Sequence, residues 1–215
     1  MSVKLVKQSG SVVDVVNAAR ISFGKEITSM TDKDWKLIKY LWRNKHTSPF
    51  RHVHFTFHIH APIFVLRQWM KHQVGCSWNE ISGRYVKFDH AFYHPEVWRS
   101  KPNEKIKQGS GSDLSEDKQS DCTTIYQNTI NSLFDVYNHF IKMGMCREQA
   151  RMILPVSTMS QCYWTCSLQA LIHFLIQRTD THAQKEISDY AWDIVNILNQ
   201  DKNLKELLKI CGFVQ

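Results

Sequence analysis

From His52 to His60 the chain alternates without exception between polar and apolar side chains. Side chains on a strand point to opposite faces with a period of two. His52, His54, Thr56, His58 and His60 therefore share one face, and Val53, Phe55, Phe57 and Ile59 share the other. A ribbon with one wholly apolar face must bury it, so the pattern predicts a half-buried strand of an antiparallel sheet.

The C-terminal half reads as helical. Tyr126, Ile130, Leu133, Phe134, Tyr137, Phe140 and Ile141 recur at helical spacing, and Gly144 suits the stop. A short helix is expected before Pro155 and another from Thr165 to Gln177. A third places Ile187, Tyr190, Ala191, Ile194, Val195 and Leu198 on one face; Leu204, Leu207 and Leu208 mark the last, which Gly212 ends. Toward the N-terminus, residues 1–7 alternate like a strand, and Val12 to Arg20 reads as a helix. Thr31 and Asp34 form a capping box ahead of Leu37, Ile38, Leu41 and Trp42. Pro62 suits the first turn of a helix running to about His72. On such a helix Arg67 and Lys71 share a face, as do Gln68 and His72. Residues 100–122 are polar around Gly109-Ser-Gly-Ser112 and read as a loop or insertion. The fold class is α+β: one domain, residues 1–215, in which a small antiparallel sheet packs with a larger helical part.

Composition narrows the function. No run of roughly 18 apolar residues exists, which argues against a membrane span. The N-terminus lacks the apolar stretch of a secretory signal, so a cytoplasmic (intracellular) protein is expected. Six cysteines, at 76, 122, 146, 162, 166 and 211, form no Cys-x-x-Cys pair and read as reduced, packed thiols. A net charge of +7 favours anionic partners such as nucleotide phosphates. No G-x-G-x-x-G or P-loop is present, so a dinucleotide would not be held by a Rossmann turn. The histidines on the strand face stand about 7 Å apart with no carboxylate or thiolate to join them, so no metal is expected. No helix-turn-helix, RNP or zinc-finger pattern supports nucleic-acid binding.

The chemistry concentrates between Arg67 and Tyr85. After Gly75, Ser77, Asn79, Glu80, Ser82 and Arg84 crowd into eight positions, 77–84. Hydroxyls beside a glycine and a guanidinium suit an oxyanion or phosphate, although a solvated polar turn would read the same way. Lys71-His72-Gln73 followed by Asn79-Glu80-Ile81-Ser82-Gly83-Arg84-Tyr85 resembles the defining motif of the flavin-dependent thymidylate synthases, usually Arg-His-Arg-x7-Ser with Asn-Glu-x-Ser-x-Arg-Tyr. Ala18–Phe23, His46–Phe50, Phe55–His58, Ala61–Phe64, Ala150–Pro155 and Arg178–Gln184 resemble further family segments in family order. Such an ordered series is more specific than one short motif.

The resemblance implies a homotetramer with active sites at subunit junctions. It implies FAD as cofactor, dUMP as substrate, and methylenetetrahydrofolate and a nicotinamide nucleotide, NADPH, as cosubstrates. By motif position, Gln68, Trp69, Met70, Lys71, Glu80, Ile81, Ser82, Gly83, Arg84 and Arg151 are implied in dUMP binding. Arg178 matches the arginine that activates the pyrimidine. Activating C5 builds negative charge on the N3/O4 side of the ring, which a permanently charged guanidinium can meet with paired donors. FAD contacts are implied for Ser48, Lys71, His72, Gln73, Val74, Glu80, Ser167, Gln169 and His173, with His46 near the flavin. The chain departs from the pattern at Lys71 and Gln73, which replace arginines, and at Gln169, where another arginine is usual. Eight positions, not seven, separate Gln73 from Ser82. This lost charge predicts a weaker hold on flavin or nucleotide unless other groups compensate. It also leaves room for a related C5-modified pyrimidine nucleotide as substrate.

Overall fold

A computed structural model describes residues 2–102 and 109–213. Among these, a four-stranded antiparallel sheet combines with eight α-helices. In chain order the elements are β1 (Ser2–Ser9), α1 (Val12–Arg20), α2 (Asp32–Arg43), β2 (His54–Pro62), α3 (Ile63–Trp69), β3 (Cys76–Glu80), α4 (Glu116–Lys142), α5 (Arg147–Ala150), β4 (Met159–Ser167), α6 (Leu168–Arg178), α7 (Lys185–Leu198) and α8 (Lys202–Ile210). The strand order is β1-β2-β4-β3. By contact density the chain forms two compact units. The first holds His60–Gln68 and Glu80–Cys162; the second holds Ser2–Ile59, Trp69–Asn79 and the chain from Tyr163 on.

The second unit follows the sequence periodicities closely, except that His52, expected on the strand face, ends the 3-10 turn Ser48–His52, so the strand opens only at His54. Val53, Phe55, Phe57 and Ile59 are fully buried, as the alternation requires. Buried in the same unit are Ile187, Tyr190, Ala191, Ile194, Val195 and Leu198 on α7, which packs on β1 and α6, and Leu204, Leu207 and Leu208 on α8. α1 spans the predicted residues, and Arg20 at its end pairs with buried Asp34. Asp34 also accepts from the Thr31 hydroxyl and backbone N–H, completing the capping box that starts α2.

In the first unit α4 starts at Glu116, so residues 116–122 are helical and the expected loop is shorter at that end. Residues 103–108 of that loop lie outside the described residues. Of the predicted α4 stripe, Ile130 and Tyr137 are buried, while Tyr126, Leu133, Phe134, Phe140 and Ile141 are half-buried. Tyr126 donates its hydroxyl to the Tyr93 carbonyl at 2.6 Å, and Phe134 packs on His90 with ring centres 4.6 Å apart.

Three expectations are corrected. The helix predicted over 62–72 is α3, which runs only from Ile63 to Trp69: Pro62 ends β2 instead of opening the helix, and a turn begins at Met70. Arg67 with Lys71, and Gln68 with His72, therefore share no helical face. The helix predicted from Thr165 starts at Leu168, because residues 159–167 are a strand whose Cys162, Trp164 and Cys166 point inward and Tyr163 outward. Cys162 and Cys166 thus share the buried face of that strand. Cys76–Glu80, which reads as a polar turn, is also a strand.

Candidate active site

The chain leaves α3 at Trp69 in a tight turn. The His72 N–H donates to the Trp69 carbonyl at 2.9 Å and the Cys76 N–H to that of Gln73 at 3.2 Å. Gly75 makes this turn possible. Its φ is +72°, in the left-handed region, and a Cβ there would come within 3.0 Å of Ser167 Oγ. The Gly75 carbonyl accepts from the Ser167 N–H at 3.0 Å, and Ser167 caps α6 by accepting from the Ala170 N–H. The turn is thereby laid against α6. Between them opens a cavity of about 180 Å³. Lys71, His72, Gln73, Val74 and Cys76 line it from the turn; Ala170, His173, Gln177 and Arg178 line it from α6.

Arg178 Nε donates to His72 Nε2 at 3.0 Å across 106 residues of sequence. His72 must then be neutral, with its proton on Nδ1. Its surroundings enforce this: burial first, then the charges of Arg178 and His173, pull its pKa from 6.5 down to about 4. Phe174 adds an aromatic edge 5.1 Å away. Burial also lowers Arg178, but an arginine starts so far above neutrality that it stays charged. The product is a guanidinium fixed through Nε by a neutral acceptor, with both terminal amino groups unpaired among the described residues and left for a ligand.

The linkage has a definite sign. The fold holds His72 neutral, so the folded pKa lies below the unfolded value. Its contribution is intact above about pH 6.5 and is lost as pH falls toward 4. Thermal melts across pH 4–7 should show a smaller slope in His72→Gln, which accepts a hydrogen bond but does not titrate in this range. An unchanged slope would mean that His72 is not the group that protonates.

Cys76 is the cysteine inside the nucleotide motif and the one a thiolate mechanism would use. Burial raises its pKa, only partly opposed by the Trp164 side chain. Cys162 is pushed up to about 12 by burial and by the Glu80 charge, and Cys166 well above its ordinary value. An activated nucleophile needs the reverse shift. Cys76→Ser should therefore keep most of its turnover. A thousandfold drop in that variant, with FAD still bound, would mean thiolate attack.

The first unit presents a second constellation. Ser160 donates its hydroxyl to Glu80 Oε1 at 2.6 Å, and the Ile81 N–H donates to the Gln161 carbonyl at 2.9 Å. The Ser82 carbonyl accepts from the Tyr85 and Val86 N–H groups, and Ser82 Oγ accepts from the Arg84 N–H at 3.3 Å. Ser82 therefore keeps its own proton to give to an anion. Among the described residues no side-chain base touches it, which fits a ligand-binding role. Gly83 is required here, since a Cβ would lie 2.2 Å from the Phe88 ring. Arg84 Nε is 3.0 Å from Glu148 Oε2 in an exposed pair, and Arg147 donates to the Tyr85 carbonyl at 2.8 Å. The Arg151 side chain makes no hydrogen bond or ion pair among the described residues. Ser82 and Arg84 lie in one turn to which Arg147 donates, and a hydroxyl with guanidinium groups is what binds phosphate.

The residues implied by sequence thus fall into two sets. Lys71, His72, Gln73, Val74, His173 and Arg178 share the cavity of the second unit. Gln68, Glu80, Ile81, Ser82, Gly83, Arg84 and Arg151 belong to the first unit. Ser48 opens the 3-10 turn Ser48–His52, whose Arg51 donates to the Gln169 side chain. His46 is exposed, its ring edge-on to Tyr40 at 5.8 Å. Met70 is half-buried and does not line the cavity. Trp69 does not reach the cavity either; it is fully buried, stacked 4.7 Å from Phe174. Sequence reasoning missed Gln177, which stands one turn after His173 and hydrogen-bonds it at 3.1 Å. Its position next to Arg178 was the available signal.

Known proteins resemble this chain over most of its length. A family model described as thymidylate synthase complementing protein matches residues 4–201. A flavin-dependent thymidylate synthase of Thermosipho africanus is 41% identical over 197 residues, 92% of this chain and 85% of the relative. One from Kosmotoga olearia is 40% identical over 195 residues, 91% and 84% of the two chains. The solved structure of the UMP/dUMP methylase PolB from Streptomyces cacaoi, bound with 5-Br UMP, superposes with a TM-score of 0.86. It is 32% identical and the match covers 100% of this chain and 96% of that one.

Proposed function

The chain belongs to the thymidylate synthase complementing protein family, that of the flavin-dependent thymidylate synthases, and we propose that it methylates dUMP to dTMP with a flavin as its redox cofactor. The observation that carries this reading is Arg178, held through Nε by neutral His72 beside a cavity. Its two free amino groups can meet negative charge as it builds on the N3/O4 side of a uracil ring. Such preorganised donors stabilise a developing anion without reorganising during the reaction. PolB bound with 5-Br dUMP, 33% identical with a TM-score of 0.84, supports a uracil nucleotide as substrate.

In this reading the cofactor is FAD, with NADPH as reductant and methylenetetrahydrofolate as carbon donor. When bound, reduced flavin supplies the hydride that completes the methyl group. The donor set suits such a ring system: Gln73 and Gln177 offer amides, His72 and His173 imidazoles, and Lys71 a cation. The phosphate of dUMP falls to Ser82, Arg84 and Arg151. A volume of about 180 Å³ is below the roughly 300–1,000 Å³ of sites that enclose ligands of drug or cofactor size. The cavity is therefore one wall of a larger site, which favours a homotetramer with sites at subunit junctions. Ile21, Phe23 and Met152, between 69% and 80% exposed, are apolar surface for such contacts.

The test is release of tritium from C5-labelled dUMP, with FAD, NADPH and the folate donor present or singly omitted. Release that requires flavin and reductant is expected. Full release without flavin would overturn the reading.

A further inference from the structure

We propose that Arg51, which lies outside every residue set assigned above, is an anion-binding residue of the active site and holds a phosphoryl group of the flavin nucleotide. The inference rests on the reading that this unit binds FAD. Arg51 is exposed on the 3-10 turn Ser48–His52, yet that turn is anchored, because Pro49 and Phe50 are buried. Its Nε donates to Gln169 Oε1 across 118 residues of sequence. The partner is a neutral amide. Among the described residues no carboxylate lies within ion-pair distance of Arg51, so its charge is uncompensated and both terminal amino groups remain available.

Gln169 begins a stripe along α6. Gln169, His173 and Gln177 follow at i, i+4 and i+8, and the last two are hydrogen-bonded to each other and line the cavity. At 1.5 Å per residue the stripe is about 12 Å long. Arg51 stands at its far end, with Ser48 on the same turn. An extended ligand that begins in the cavity and follows this stripe meets a guanidinium there. A guanidinium aimed through Nε presents a planar pair of donors, which matches phosphate oxygens in a way lysine cannot. The position also answers the charge deficit of this chain. Gln73 and Gln169 carry no charge where arginines are usual, and Arg51 brings a cation to the side chain of Gln169 itself.

The phosphate could belong to the flavin nucleotide or to dUMP, and two titrations of the full-length protein separate them. FAD binding is read from flavin fluorescence on flavin-stripped protein. dUMP binding is read by calorimetry on the FAD-loaded protein. Arg51→Gln should weaken FAD by about tenfold or more, the effect of one charge-assisted hydrogen bond, and leave dUMP affinity unchanged. Adding Gln169→Arg to Arg51→Gln should restore most of the FAD affinity by moving the cation across the contact. Unchanged FAD affinity in Arg51→Gln, or a loss confined to dUMP, would overturn the proposal. Wild-type protein that binds no FAD would overturn the underlying reading instead.

Discussion

Arg178→Lys should still bind dUMP but turn over about a hundredfold more slowly, or worse. Lysine keeps the charge and loses the fork. In the wild-type chain Nε is taken by His72 at 3.0 Å, which fixes the plane in which the two terminal amino groups meet the ligand. A lysine ammonium is a single mobile point charge and cannot satisfy His72 and the uracil edge together. Removing one preorganised donor from a site where charge develops costs about 10²–10³ in kcat, whereas ground-state binding relies mainly on the nucleotide phosphate. Steady-state kinetics, with a separate dUMP titration, would therefore show a fall in kcat with little change in dUMP affinity. Wild-type turnover in Arg178→Lys would remove Arg178 from the chemistry.

Trp69→Ala should destabilise the protein by about 3–5 kcal/mol and lower Tm by roughly 6–20 °C. Trp69 is fully buried, with Phe174 stacked on it at 4.7 Å and Trp164 and Tyr190 within 5.6 Å. Truncation leaves a cavity walled by aromatic rings, which cannot collapse to fill it. Trp69→Phe should cost much less, because it keeps a ring on Phe174 and deletes an indole N–H that is buried without a partner. The pair of variants separates packing from substrate contact. If Trp69→Ala melted like wild type while dUMP affinity collapsed, the indole would be touching the nucleotide, as the motif by itself implies.

What the sequence determined is what repeats locally. The alternation in β2 set which of its residues are buried, because a strand permits only two faces. Thr31 and Asp34 located the start of α2, and the α7 stripe named its buried residues, because caps and helical faces depend on neighbours within about four positions. The motif around Lys71–Tyr85 pointed to the chemistry, since glycines and polar side chains there serve a fixed ligand geometry. Pairings across the chain were decided only in the folded molecule. β4 stayed hidden because its inward residues include cysteines, whose alternation with polar neighbours carries little signal. The start of α3 depended on Pro62 closing a strand. His72 meets Arg178 across 106 residues, and Arg51 meets Gln169 across 118. No local period encodes such a contact, because it exists only once the sheet and α6 have brought the two segments together.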